Sequence, residues 1–300
     1  MNQITIKNNS IELVVLDFGA IIQKIIVKDK NGNPVNTVVG FENPEDYLND
    51  KMFLGACIGR YAGRISGGGF TLKNKRYPLK ENHKVHLHGG EIGFNQKYFT
   101  IEEVHQGETP FIRLSYLSQD LEEGYPGNLA VTVTYTLLGN SLKITHQATT
   151  DKTTVVNLTN HSYFKLDAAS SVAHYDLQLN CSQITETHPN LLPTGHFLPV
   201  ANSAYDFKTS KKIGSPFLDT PFAIDPKNKI AAEVSSDISE ITLQVATNQP
   251  ALIIYTPPTT GSICFETQNF PDAPNQPNFP SSVLTPDETY LNESIFTFKT

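Results

Sequence analysis

Several things are scarce in this chain of 300 residues. There are three cysteines, Cys57, Cys181 and Cys264, far apart and odd in number. No C-x-x-C spacing exists, so neither a disulfide framework nor a zinc site is suggested. Positive charge is in the minority, with 23 Lys and Arg against 30 Asp and Glu and a formal net charge of −7. No Lys/Arg cluster supplies the basic stripe with which a nucleic-acid binder neutralises phosphates. An acidic surface also disfavours anionic membranes and polyanionic substrates. No stretch approaches the roughly 20 consecutive apolar residues that span a bilayer. The amino terminus, MNQITIKNNS, lacks the apolar run of a signal peptide. A nucleophile elbow, phosphate loop, dinucleotide fingerprint and clustered metal motif are missing as well. The expectation left standing is a cytoplasmic protein in a reducing compartment that handles a small neutral ligand.

Composition is otherwise that of an ordinary globular protein, with 39% hydrophobic and 18% charged residues. Strand periodicity dominates. Leu129, Val131, Val133, Tyr135 and Leu137 alternate with Ala130, Thr132, Thr134 and Thr136, giving one dry face and one polar face. Gly139-Asn140 follows, then Leu142, Ile144 and His146 alternate with Lys143, Thr145 and Gln147, which reads as a β-hairpin. Similar alternation recurs at Ile112–Tyr116, Tyr175–Leu179 and Ile241–Val245. The best short helix lies at Pro44 to Asn49, with Asn43 as N-cap and Pro44 in the first turn. Many short strands punctuated by Gly, Pro and Asn predict an all-β protein, a large antiparallel β-sandwich. No repeat, linker or composition shift marks a boundary, so residues 1–300 read as one domain.

Five segments stand out from the strand background. Gly59-Arg60-Tyr61-Ala62-Gly63-Arg64-Ile65 holds two arginines whose planar donor forks suit hydroxyl or carboxylate oxygens; alone, it reads more readily as a solvated loop. In His86-Leu87-His88-Gly89-Gly90 alternation would put both histidines on one strand face, yet no third metal ligand lies at a recognisable spacing. Glu122-Glu123-Gly124-Tyr125-Pro126-Gly127 reads as an acidic surface turn. In Asn157-Leu158-Thr159-Asn160-His161-Ser162-Tyr163-Phe164 a histidine sits among amides, hydroxyls and aromatics. It is as suited to structural hydrogen bonding as to proton transfer. Glu266, in Phe265-Glu266-Thr267-Gln268-Asn269-Phe270-Pro271-Asp272-Ala273, follows the apolar Ile263 and Cys264. A partly buried, unpaired carboxylate there points to a functional role.

Taken together and in order, these segments closely resemble the galactose mutarotase (aldose 1-epimerase) family. The likeness begins at Asp17-Phe18-Gly19-Ala20 and runs through the segments above, L-L-P-T-G-H and Tyr205-Asp206-Phe207, closing on E-T-Q-N-F-P-D-A-P-N-Q-P-N-F-P. The resemblance implies the galactose mutarotase-like supersandwich and interconversion of the α and β anomers of a free aldohexose such as galactose or glucose. It implies Glu266 as general base and His161 as general acid, with neither metal nor cofactor. Arg64, His88, Ser162 and Tyr163 would line the sugar pocket. Asp219 would be the sugar-binding aspartate, with Asp225 a nearby competitor. The implied partner is a small sugar, with no nucleic acid and no membrane, and the chain a monomer or homodimer. Three departures from the family pattern stand out: Gly63 where Asn is common, Lys165 after Tyr163-Phe164, and Ile253 where a sugar-contacting glutamine is common.

Other readings of the same residues remain. A glycoside hydrolase would use two carboxylates rather than a Glu/His pair. A hexose-6-phosphate epimerase would need a basic phosphate-binding cluster, and none is identifiable. A sugar-binding or sensor domain on the same fold would need no matched acid and base, and an epimerase acting on another sugar, such as a disaccharide, is the remaining alternative.

Overall fold

The computed structural model describes residues 1–81, 85–214 and 217–300. Nine strands form the larger sheet. Their spatial order is Thr100–His105, Phe111–Ser118, Leu129–Leu138, Ser141–Thr150, Tyr290–Lys299, Thr242–Thr247, Ala232–Ser235, Asp176–Leu179 and Lys211–Lys212. Six strands form the second sheet, in the order Tyr163–Phe164, Ile263–Gln268, Ala251–Tyr255, Asp219–Ile224, Cys181–Thr187 and Pro193–Pro199. Neighbours in both sheets run antiparallel. A separate four-stranded sheet comes from the first 36 residues, ending with Pro34–Asn36.

Alternation in sequence becomes burial in space. Leu129, Val131, Val133, Tyr135 and Leu137 are all buried, while the residues between them are exposed or half-buried. The inner face of the nine-stranded sheet (Val133, Tyr135, Ile144) joins one core with Phe222, Leu252, Ile254 and Phe265 of the six-stranded sheet. Burying two sheets face to face is the layer solution that such alternation demands. The all-β sandwich expected from the sequence is therefore the architecture found.

Pro44–Asn49 is a 3-10 helix rather than a turn of α-helix, with the Asn43 side chain accepting from the Glu45 N–H at 3.3 Å. Six residues are too few to support an α-helix, and the tighter i→i+3 bonds are used instead. No helix among the described residues is long and apolar enough to cross a membrane. All three cysteines are free and buried.

Candidate active site

The Ile263–Gln268 strand is buried at every position. Period two splits it: Ile263 and Phe265 enter the sandwich core, while Cys264, Glu266 and Gln268 point to the opposite face. Register places Ile253 opposite Glu266, Ala251 opposite Gln268, and Tyr255 opposite Cys264. Asp219 and Pro221 follow on the next strand, opposite Tyr255 and Ile253. Asp219, Pro221, Ile253, Tyr255, Glu266 and Gln268 form the floor of a cavity of about 300 Å³, at the small end of the usual range for ligand pockets.

The walls come from loops. Arg64 begins a two-residue strand paired with His86–Leu87, and its Nη2 lies 3.3 Å from Asp219 Oδ2. His88 follows that pair in a left-handed conformation, with φ 49°. The strand therefore ends before His88, and the two histidines do not share a face. His86 is buried, its Nε2 2.7 Å from the Tyr125 hydroxyl, whereas His88 faces the cavity. The Gly63 N–H donates to His88 Nδ1 at 3.2 Å. An acceptor at Nδ1 places the neutral ring's proton on Nε2.

His161 is held by its backbone. Its N–H donates to the Ala56 carbonyl at 2.9 Å, and its carbonyl accepts from Gly55 at 3.0 Å. Gly55 is required there, since a Cβ would fall 2.1 Å from the Ile22 carbonyl oxygen. The surrounding amides work as clamps. The Asn157 amide donates to the carbonyls of Ala62 and Asn269, and that of Asn160 to Gly55. Ser162 belongs to this clamp: its hydroxyl donates to Asn160 Oδ1 at 2.6 Å. It does not line the cavity, because the residue after His161 points to the other side of the extended chain. Tyr163 lines the cavity, stacks on His161 at 5.1 Å and donates its hydroxyl to the Met52 carbonyl.

Glu266 and His161 meet in the pocket. His161 Nε2 is 3.6 Å from Glu266 Oε1, and both side chains are 4% exposed. Burial, helped by the charge of Asp219 and opposed by Arg64, pushes the Glu266 carboxyl up to about 8. Burial lowers His161 to about 4. His88 is held well below the ordinary histidine value by burial, then by His161 and Arg64. One carboxyl and two neutral imidazoles therefore face the same cavity.

His88, His161 and Glu266 bring ligand atoms within 4.8 Å of one another, a spacing a metal ion could bridge. The chemistry of His88 opposes this. A metal-bound imidazole donates its other N–H outward, but His88 Nδ1 already accepts a backbone N–H. The donor set fits a sugar hydroxyl better than a cation.

Several expectations are corrected. Arg60 is no surface arginine: it is buried and donates to Ser118 Oγ and to the carbonyls of Ser118, Gln119, Tyr125 and Pro126. The acidic turn is not free either. Glu122 is half-buried, 2.6 Å from Lys97 Nζ and 2.7 Å from the Tyr116 hydroxyl, and Glu123 accepts the N–H groups of Glu91 and Ile92. Asp225 lies off the cavity, bonded by the Ser182 hydroxyl at 2.7 Å. Phe53 escaped notice because a phenylalanine before Leu54-Gly55-Ala56 reads as core. It lines the cavity with its ring 4.8 Å from that of His88 and 5.9 Å from that of His161. Its φ of 58° is rare for a bulky side chain, and such strain gathers at functional sites.

The aldose 1-epimerase family model matches residues 2–297. The chain belongs to the aldose 1-epimerase family. Its relatives include the galactose mutarotase of Rattus norvegicus, 35% identical over 98% of this chain and 92% of that protein. The aldose 1-epimerase of Escherichia coli is 32% identical over 98% and 94%. Among solved structures, an aldose epimerase homologue from C. elegans superimposes with a TM-score of 0.94 at 28% identity, covering 99% and 98% of the two chains. The galactose 1-epimerase of Lactobacillus acidophilus gives 0.88 at 29% identity, covering 99% and 94%. Family membership makes this chain an isomerase of the mutarotase class.

Proposed function

We propose that the pocket opens and recloses the ring of a free aldohexose, with Glu266 and His161 as the acid–base pair. The observation that carries this is their approach to 3.6 Å inside a sugar-sized cavity. Ring opening needs a proton removed from the C1 hydroxyl and another delivered to the ring oxygen. The pair holds one proton, which rests on Glu266; once it has shifted to His161, the ionised Glu266 takes the first and the protonated His161 gives the second. The aldehyde rotates about C1–C2 and recloses with the roles exchanged, so the pair ends with the proton count it began with.

Arg64 and Asp219 present a donor and an acceptor to the sugar hydroxyls, and His88 offers Nε2–H. Phe53 and Tyr163 supply aromatic walls for the sugar's C–H faces. Fixed orientation is a large part of what such a site contributes. A small-molecule sugar is the only partner this reading requires, and free buried thiols accord with a reducing, cytoplasmic setting.

Ile253 presents an apolar surface directly opposite Glu266. A polar contact is therefore missing beside the base, and discrimination among hexoses should be weak or directed away from galactose. Polarimetry of freshly dissolved α-glucose and α-galactose tests the proposal. Catalysed decay of optical rotation is the expected result, and decay no faster than in buffer would overturn it. Comparing kcat/KM for galactose, glucose and maltose then reads the sugar preference.

A further inference from the structure

We infer that Gln268 is a positioning residue for Glu266, its amide N–H bonding the ionised carboxylate from the next position on the same strand face. The inference rests on the acid–base reading above.

Glu266 accepts no hydrogen bond from any described residue, and its Oε2 is sealed from solvent. A base held this loosely would sample several rotamers. Two positions along, both amide atoms of Gln268 are also sealed and unpartnered, and the residue is 0% exposed. Residues i and i+2 of a strand share a face, and both side chains border the same cavity. Each orphan carries a desolvation cost that a hydrogen-bond partner would offset. A single N–H···O bond between them satisfies Glu266 Oε2 and Gln268 Nε2.

Their neighbours offer no substitute. Ala251 stands opposite Gln268 and Ile253 opposite Glu266, neither with a polar side chain. The amides of Asn157 and Asn269 are already committed to backbone carbonyls. Gly63 leaves room for the amide to turn: a Cβ there would lie 3.4 Å from Gln268 Nε2. Because the amide is sealed, a carboxylate on its own strand reaches it more readily than a sugar hydroxyl does.

The charged and titratable groups around Glu266 leave a task for such a donor. Asp219 raises the carboxyl and Arg64 lowers it. His161 stands at 3.6 Å, and His88, Tyr163 and Tyr255 border the same cavity. Cys264 precedes it on its own strand face. Lys51 borders the cavity as well; of these groups Arg64 and Lys51 are the cations, and Arg64 is engaged with Asp219. A donated amide N–H favours the ionised carboxylate and so opposes the effect of burial.

The test is Gln268→Met, which keeps length and removes the amide, with Gln268→Asn as a second variant that keeps the amide but shortens its reach. The readout is the titration of the Glu266 carboxyl, followed by carbon-13 NMR on the sugar-free protein. Both variants should titrate about one pH unit higher than the wild type. On the plateau kcat should fall about tenfold and the alkaline limb should move up by about one pH unit, with KM and the galactose-to-glucose ratio little changed. An unmoved titration overturns the inference, whether accompanied by lower melting temperature (a brace) or by altered KM and sugar preference (a sugar contact). The titration is read without turnover, so wild-type polarimetry tests the acid–base reading separately.

Discussion

Gly63 and His88 bond each other in both directions: the Gly63 N–H donates to His88 Nδ1 at 3.2 Å, and the His88 N–H donates to the Gly63 carbonyl at 3.1 Å. The first bond needs a bare nitrogen, so His88 presents Nε2–H to the cavity. Activity should therefore survive prolonged incubation with a strong chelator, because a cation would have to overturn this tautomer. Nitrogen-15 NMR should report a protonated Nε2 on His88 at neutral pH. Loss of activity on chelation, restored by zinc or magnesium, would show the site to be misread.

Asp219 and Asp225 separate cleanly. Asp219 sits in the cavity beside Arg64, while Asp225 is bonded by Ser182 outside it. Asp219→Asn should raise KM for the sugar at least about tenfold, through loss of a charge-assisted hydrogen bond and of the Arg64 partner. Asp225→Asn should leave KM within about twofold, as expected for a residue away from the cavity. Steady-state polarimetry on both variants decides, and a larger effect at Asp225 would reverse the assignment.

The acid–base pair implies a bell-shaped pH dependence. Below about 4 His161 gains a proton, and above about 8 Glu266 loses one. Between those values the pair holds a single proton, the count that one base and one acid require. Because the groups are in contact, the values belong to the pair rather than to either residue. A kcat/KM profile should plateau between them and fall on both sides. A flat profile from pH 4 to 9 would count against this pair.

Much of this was legible in the sequence because period-two alternation translates directly into which side chains enter a core. Leu129 to Leu137 show this, and so does Glu266, whose apolar neighbours foretold its burial. Clamps were less legible. Nothing local distinguishes Arg60, which braces carbonyls 58 or more residues away, from Arg64, four positions on, which faces the cavity. The family resemblance put Ser162 with the pocket residues, yet its place next to His161 on an extended chain turns its side chain to the opposite side. His86 and His88 parted because His88 adopts a left-handed conformation that residue type alone does not announce. Long-range partners and local backbone handedness were the missing information in each case.

Replacing the acid and the base individually gives the most direct test. Glu266→Gln keeps shape and reach but cannot accept the C1 proton, and His161→Asn removes the donor while keeping a polar group. Each should lower kcat by about 10²–10⁴-fold while sugar binding changes far less, since Arg64, His88 and Asp219 remain. The double variant should be little worse than the slower single one, because groups that act as a unit are strongly non-additive. Stability should move the other way. The folded-state value of Glu266 is raised from 4.5 to about 8, so the neutral acid's contribution is fully present below 4.5 and is lost as pH rises through about 8. Glu266→Gln never ionises and should melt roughly a few degrees higher than the wild type at pH 8.5, with the difference shrinking towards pH 5. For His161 the sign is opposite: its value falls from 6.5 to about 4, so wild-type stability drops as pH falls from 6.5 through 4, and His161→Asn should blunt that drop. A protein that is folded, binds sugar, is inactive and gains alkaline stability establishes the buried pair as catalytic. A destabilised variant with normal specific activity would make Glu266 and His161 braces of the fold instead.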